Sequence, residues 1–235
     1  MKTIGLIGGM SWESTVPYYR QINQTIQSHL GGLHSARLVL VSVDFHEVEV
    51  LQRAGDWDAA GAAMAHAAQS LARAGADFVV LCTNTMHKVA PAIEKAVDIP
   101  LLHIADPTAE ALRQAGVQRV GLLGTRFTME QDFYRDRLTG RHGLQVITPD
   151  APQREAVHRI IYEELCLGVI RPESRAVYQQ VMASLVVQGA QAIILGCTEI
   201  SLLVSAEDSA VPLFDTTHLH ARAAALQALG HTPAA

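Results

Sequence analysis

Ala192-Ile193-Ile194-Leu195-Gly196-Cys197-Thr198-Glu199 is an apolar run that stops at a glycine and hands over to a thiol, a hydroxyl and a carboxylate. Consecutive apolar residues without polar alternation suit a short strand buried on both faces, as in a parallel sheet covered by helices. Phe78-Val79-Val80-Leu81-Cys82-Thr83-Asn84-Thr85 repeats the arrangement 114 residues earlier. Reading the two as equivalent strands decides the fold. It also puts chemistry at their tips, because ligands of open α/β sheets bind beyond the carboxyl ends of the strands.

Outward from these runs, β-branched segments alternate with longer helical ones. Strands are expected at 3–8, 37–43, 78–82, 100–104, 119–124, 144–148, 192–196 and 211–215, and helices at 14–29, 57–74, 88–96, 107–115, 129–138, 152–166, 173–188 and 216–229. The alternation predicts an α/β protein with parallel sheets. Internal repetition predicts two halves. Ile4-Gly5-Leu6-Ile7-Gly8 returns as Val120-Gly121-Leu122-Leu123-Gly124, and Ile99-Pro100-Leu101-Leu102 returns as Val211-Pro212-Leu213-Phe214, at shifts of 116 and 112. The expected domains are 1–104 plus about 211–235, and 105–210, related by a pseudo-twofold axis, with a cleft lined by 8–12, 82–87, 124–128 and 197–199.

Composition narrows the class. The 235 residues are 49% hydrophobic and 17% charged with a net charge of −5, and both signs are interspersed, so no basic footprint for nucleic acid is present. No apolar run approaches the length of a membrane span, and the first strand begins almost at Met1, so neither a membrane nor a signal peptide is expected. Three cysteines without a C-x-x-C pair suit a reducing compartment, and a cytoplasmic location is expected. The eleven histidines show no zinc spacing, so no metal is expected.

Cys197 falls where a strand should turn into a helix, and backbone N–H groups there would favour a thiolate that acts as base or nucleophile. The shift of 114 aligns Thr83, not Cys82, with Cys197, so a hydroxyl is expected opposite the thiol. Asn84 and Thr85 suit a small substrate's carboxylate or a helix cap. Gly8-Gly9-Met10-Ser11 offers backbone N–H groups to an anion but lacks a dinucleotide fingerprint. Gln52, Arg53 and Arg126 are further candidate contacts, and Cys166 reads as helical and packed.

At Gly8-Gly9-Met10-Ser11, Asn84-Thr85-Met86-His87 and Ile193–Ile200 the chain resembles the cofactor-independent aspartate/glutamate racemase family. Trp12-Glu13-Ser14-Thr15, Cys82–His87 and Glu163–Gly168 resemble an enterobacterial-type branch described as broad or L-aspartate/glutamate-specific. The resemblance implies two pseudo-symmetric flavodoxin-like halves with the active site in the cleft, and an isomerase that needs no pyridoxal phosphate. It implies Cys197 and Thr83 as the catalytic pair, and Met10, Gln52, Asn84, Thr85, Thr198 and Glu199 as substrate-binding residues. An amino acid is the expected partner and a homodimer the expected assembly. The chain departs from the family at Thr83, where a cysteine is usual, at Cys166, where a lysine is frequent, and near Gln52, where an arginine is frequent. A decarboxylase or isomerase with one cysteine, or an amino-acid-binding protein without catalysis, are the alternatives.

Overall fold

The computed structural model describes residues 1–231. They form two compact units: residues 1–104 with the segment from His220 onward, and Ala105–Leu219. The first unit contains β1 (Ile4–Gly8), α1 (Trp12–Leu30), β2 (Leu38–Ser42), α2 (Phe45–Ala54), α3 (Trp57–Arg73) and β3 (Phe78–Leu81). A 3-10 turn, Thr85–Val89, then runs into α4 (Ala90–Ala96) and β4 (Leu101–Leu102). The four strands are parallel, in the order β2-β1-β3-β4.

The second unit contains α5 (Ala105–Gln114), β5 (Arg119–Gly124), α6 (Arg126–Glu130) and α7 (Asp132–Asp136), which passes into a π-helical turn at Arg137–Arg141. It continues with β6 (Gln145–Ile147), α8 (Ala151–Glu163), a 3-10 turn at Leu165–Leu167, α9 (Pro172–Val187), β7 (Ala192–Gly196), α10 (Ile200–Leu203) and β8 (Leu213–Asp215). Its sheet is also parallel, in the order β6-β5-β7-β8. The last helix, α11 (Thr216–Ala228), begins in the second unit and ends in the first.

The two sheets repeat each other in register as well as order. Ile4 pairs with Phe78 as Val120 pairs with Ala192, and Ile7 with Leu81 as Leu123 with Leu195. Val79 faces Leu101 as Ile193 faces Leu213. The shifts read from the sequence are therefore those of the hydrogen-bond ladders, and position 83 is topologically equivalent to position 197.

Every side chain of β3 is buried, and alternation along the strand divides them between two cores. Val79 and Leu81 pack with Ile7, Met64, Leu71 and Ile93 under α3 and α4. Phe78, Val80 and Cys82 pack with Tyr18 and Ile22 of α1 and Ala221, Ala224 and Ala225 of α11. In the second unit Ile193, Leu195 and Cys197 share the face covered by Ile160, Tyr178, Leu185 and Ile200.

Three sequence expectations change. The polar stretch carrying Gln52 and Arg53 is a helix, α2, started by the Asp44 side chain, which accepts from the His46 N–H, and stopped by Gly55 at φ 72°. The helix expected over 129–138 is interrupted at Gln131, whose backbone is extended. The strand near 213 stays with the second unit because it is laddered to β7, and the chain returns to the first unit only within α11, at His220.

That returning segment is fixed by a buried bond. His220 Nε2 lies 2.9 Å from the Leu102 carbonyl oxygen, which can only accept, so Nδ1 is the acceptor of the 2.8 Å bond from the Tyr18 hydroxyl. Tyr18→Phe keeps the ring and deletes the donor. The expected cost is about 1–3 kcal/mol in urea unfolding, since a buried acceptor loses its partner. A variant as stable as the parent would show that this bond contributes nothing net.

Candidate active site

In the first unit the chain leaves the ladder just after β3. Cys82 still pairs, donating its N–H to the Ile7 carbonyl, and its side chain continues the alternation into the core under α1 and α11. It is fully buried, with the thiol 3.8 Å from the Val80 carbonyl, and burial pushes its pKa far up. Cys82 is an inert core residue in this arrangement. Thr83 follows, buried, and its N–H donates to the Leu81 carbonyl at 2.9 Å. Asn84 precedes the 3-10 turn, and its side chain does not cap it. Thr85 opens the turn and is buried.

Met10 and Gln52 belong to the same neighbourhood. Met10 lies in the core with Met86, and the Gln52 amide donates to Met86 Sδ at 3.1 Å. Gln52 is 3% exposed, whereas Arg53 points to solvent and pairs with Glu49 at 3.6 Å. The Gly9 N–H, one of the donors expected to meet an anion, is bonded instead to Thr15 Oγ1 at 2.9 Å. Gly9 itself is obligatory: φ is 93° and a Cβ would sit 2.3 Å from the Val43 carbonyl oxygen.

In the second unit Cys197 follows β7 and is 8% exposed. Its thiol donates to Glu199 Oε2 at 3.0 Å, and the Thr198 hydroxyl donates to the same oxygen at 2.9 Å. The thiol pKa is raised well above its ordinary value, first by burial, then by the Glu199 carboxylate and Cys166. The Glu199 backbone N–H opposes this by supporting the charged sulfur. A thiolate stabilised by a helix N-terminus was expected. The helix that follows, α10, has four residues and starts at Ile200, so its dipole is small against desolvation and a neighbouring carboxylate.

Cys166 lies in the 3-10 turn after α8, half-buried against the core that contains Cys197. Burial and the charge of Glu199 raise its thiol pKa as well. The turn is anchored by buried Glu164, which accepts from Ser174 Oγ at 2.5 Å. Arg126 is engaged elsewhere, with Glu155 of α8 at 3.7 Å. His218 is exposed while His220 is buried, and among the described residues no cluster of three or more His, Cys, Asp or Glu is arranged to hold a metal. No helix among the described residues is long and apolar enough to cross a membrane.

Two sets of contacts are not evident from the sequence, that of Glu199 with Cys197 and those of His87. Glu199 was expected to touch substrate, and in the structure its carboxylate holds the Cys197 thiol. His87 was read only as part of a polar string, and both of its ring nitrogens are bonded to main chain. The Cys-Thr-Glu spelling was the available signal for the first. For the second, a histidine six residues after the end of a strand resembles any other.

Residues 7–224 match the family model of Asp/Glu/hydantoin racemases. The chain is similar to a broad specificity amino-acid racemase, RacX, of Bacillus subtilis (strain 168), with 26% identity over 91% of this chain and 92% of that one. A Yersinia pestis protein described as a candidate Asp/Glu racemase has 62% identity and a TM-score of 0.90, over 97% of this chain and all of the other. An aspartate racemase homologue from Pyrococcus horikoshii OT3 has 33% identity and a TM-score of 0.83, with 97% and 100% covered.

The electrostatics of Cys197 give a signed expectation. A carboxylate beside a thiol disfavours the thiolate, so Glu199→Gln should lower the thiol pKa and raise the thiolate fraction at a fixed pH. Alkylation of Cys197 by iodoacetamide at pH 8 should then quicken, by up to about tenfold for each unit of pKa lost. Peptide mapping should find Cys82 unmodified in parent and variant alike. Slower alkylation in Glu199→Gln would mean that the carboxylate supports the thiolate.

Proposed function

The chain belongs to the Asp/Glu/hydantoin racemase family, and on that premise we propose that it interconverts the enantiomers of aspartate or glutamate without pyridoxal phosphate. Cys197 acts on the L face and Thr83 fills the opposing acid/base slot. The observation that carries this reading is the buried Cys197 thiol hydrogen-bonded to Glu199 at the tip of β7. A thiol that rests protonated beside a carboxylate has an acceptor for its proton when a substrate arrives.

Glu199 takes the Cys197 proton, and the thiolate removes the α-proton of the L-amino acid. The electron pair is delocalised into the substrate carboxylate as an enediolate, which nearby donors stabilise: Asn84, Thr85, Thr198 and backbone N–H groups. The Thr83 hydroxyl delivers a proton to the opposite face and recovers one from solvent, while Glu199 releases the proton it took from Cys197 to solvent, which returns every group to its starting state. Met10 and Gln52 complete the substrate contacts on the first unit.

A hydroxyl is a competent acid toward a carbanion and a poor base toward a C–H bond. Thr83 therefore serves the L-to-D direction more readily than the reverse. Because the enantiomers have equal free energy, kcat/KM must be equal in both directions, and the asymmetry falls on kcat and KM separately. Topological equivalence of positions 83 and 197 in the two ladders supports the choice of Thr83 over Cys82.

L-Aspartate and L-glutamate incubated in heavy water should gain α-deuterium and yield the D-enantiomer. Cys197→Ser should reduce both events by about 10²–10⁴-fold. If half the rate survives, Cys197 is not the base. Thr83→Cys should raise inversion, most visibly in kcat from the D side. Release of CO2 from an arylmalonate, with both amino acids unchanged, would replace the racemase reading with that of a one-cysteine decarboxylase.

A further inference from the structure

His87 is buried at the base of the β3 tip, and both ring nitrogens are committed. Nδ1 is 2.7 Å from the Thr83 carbonyl oxygen, and Nε2 is 3.2 Å from the Ile104 amide nitrogen. A carbonyl only accepts and an N–H only donates, so the hydrogen sits on Nδ1 and Nε2 keeps its lone pair. The ring is wedged against His103, with centroids 4.3 Å apart, and meets His220 edge-on at 6.0 Å. His220 is in turn fixed between Tyr18 and the Leu102 carbonyl. The imidazole therefore has one tautomer and little freedom to tilt.

Thr83 needs such a grip. It lies beyond the last ladder pair of β3, so its main-chain groups have no neighbouring strand to hold them. Its N–H is tied back to Leu81, and its carbonyl is tied forward to His87. These two bonds fix the Thr83 main chain and so the direction of the Cα–Cβ bond that carries the hydroxyl.

We propose that His87 is a positioning residue for proton transfer at Thr83: its Nδ1–H holds the Thr83 carbonyl and so aims the hydroxyl, and the imidazole itself exchanges no proton with substrate. This inference rests on Thr83 being the second acid/base group. The two ring nitrogens do different work. The Nδ1 side serves the chemistry at Thr83, while the Nε2 side secures the chain after β4.

Two substitutions separate these sides. The carboxamide nitrogen of His87→Asn falls near Nδ1 and can still donate to Thr83. The longer His87→Gln places its amide near Nε2, where it can accept from Ile104 but not reach Thr83. In heavy water, L-aspartate loses its α-hydrogen with retention through Cys197 alone, and inverts only when the second group also acts. Both rates are measured on the parent, His87→Asn, His87→Gln and Thr83→Ala.

The expected result is wash-out within about threefold of the parent in both His87 variants. Inversion should stay near the parent in His87→Asn and fall about ten- to a hundredfold in His87→Gln, as for a misplaced reacting group. The proposal is overturned if His87→Gln inverts as the parent does, if His87→Asn loses as much as His87→Gln, or if wash-out and inversion fall together. Thr83→Ala tells the two failures apart. If it leaves the ratio of inversion to wash-out unchanged, the Thr83 reading falls and takes the His87 proposal with it. If it collapses the ratio while His87→Gln does not, only the role of His87 is refuted.

Discussion

A parallel strand buried on both faces has to end, and at its end the main-chain N–H and C=O groups lose their ladder without gaining water. That obligation organises both units of this protein. After β3 it is met within a few residues: Thr83 bonds back to Leu81 and forward to His87, and the Asn84 carbonyl accepts from the His87 N–H. After β7 the Cys197 carbonyl accepts from Ile200, and Glu199 turns its side chain back onto the thiol. Groups satisfied this way are polar, dry and held from several directions. Proton chemistry at carbon asks for the same combination, because a solvated base is a weak one and a loose base is a slow one.

The second strand tip also shows how far local environment can override a local rule. A cysteine before a helix suggests a lowered pKa, yet desolvation and the Glu199 carboxylate hold the Cys197 thiol in its neutral form. Neutrality at rest fits a catalytic role. An unpaired thiolate in a core of Tyr178, Ile200 and Leu203 would be costly to bury and open to alkylation or oxidation. The carboxylate at 3.0 Å gives the neutral thiol a hydrogen-bond acceptor inside that core.

Much of this was legible in the sequence because the strands announce themselves. The apolar runs at 78–81 and 192–196 are short, unbroken and bounded by Gly and polar residues, and matching them fixed the equivalence that the ladders repeat. Period-two alternation also accounts for the burial of Cys82 on the face of Phe78 and Val80, since a one-residue offset on a strand reverses the side chain. The helix α2 was missed because only Val48 and Gln52 are fully buried along it, so its apolar periodicity is faint and its caps carry the signal. The return point of the chain at His220 was misplaced because an apolar strand and an alanine-rich helix read as one unit, while the ladder to β7 divides them. Partners such as Glu199 for Cys197 and His87 for Thr83 depend on side-chain direction within tight turns, which residue type does not encode.

Beside the thiol, Gly196 lies close against β5 and Thr128. A Cβ there would lie 2.7 Å from the Leu123 carbonyl oxygen and 2.8 Å from Leu122 Cδ1. Its counterpart, Cys82, fills a pocket between the sheet and two helices. The two halves are therefore not spare copies of one another. Grafting Leu81-Cys82-Thr83 onto the second sheet would drive a sulfur into β5, whereas grafting Leu195-Gly196-Cys197 onto the first would leave a hole under α1. Each half has packed around its own tip, so the two tips cannot be exchanged in either direction, however closely their ladders match.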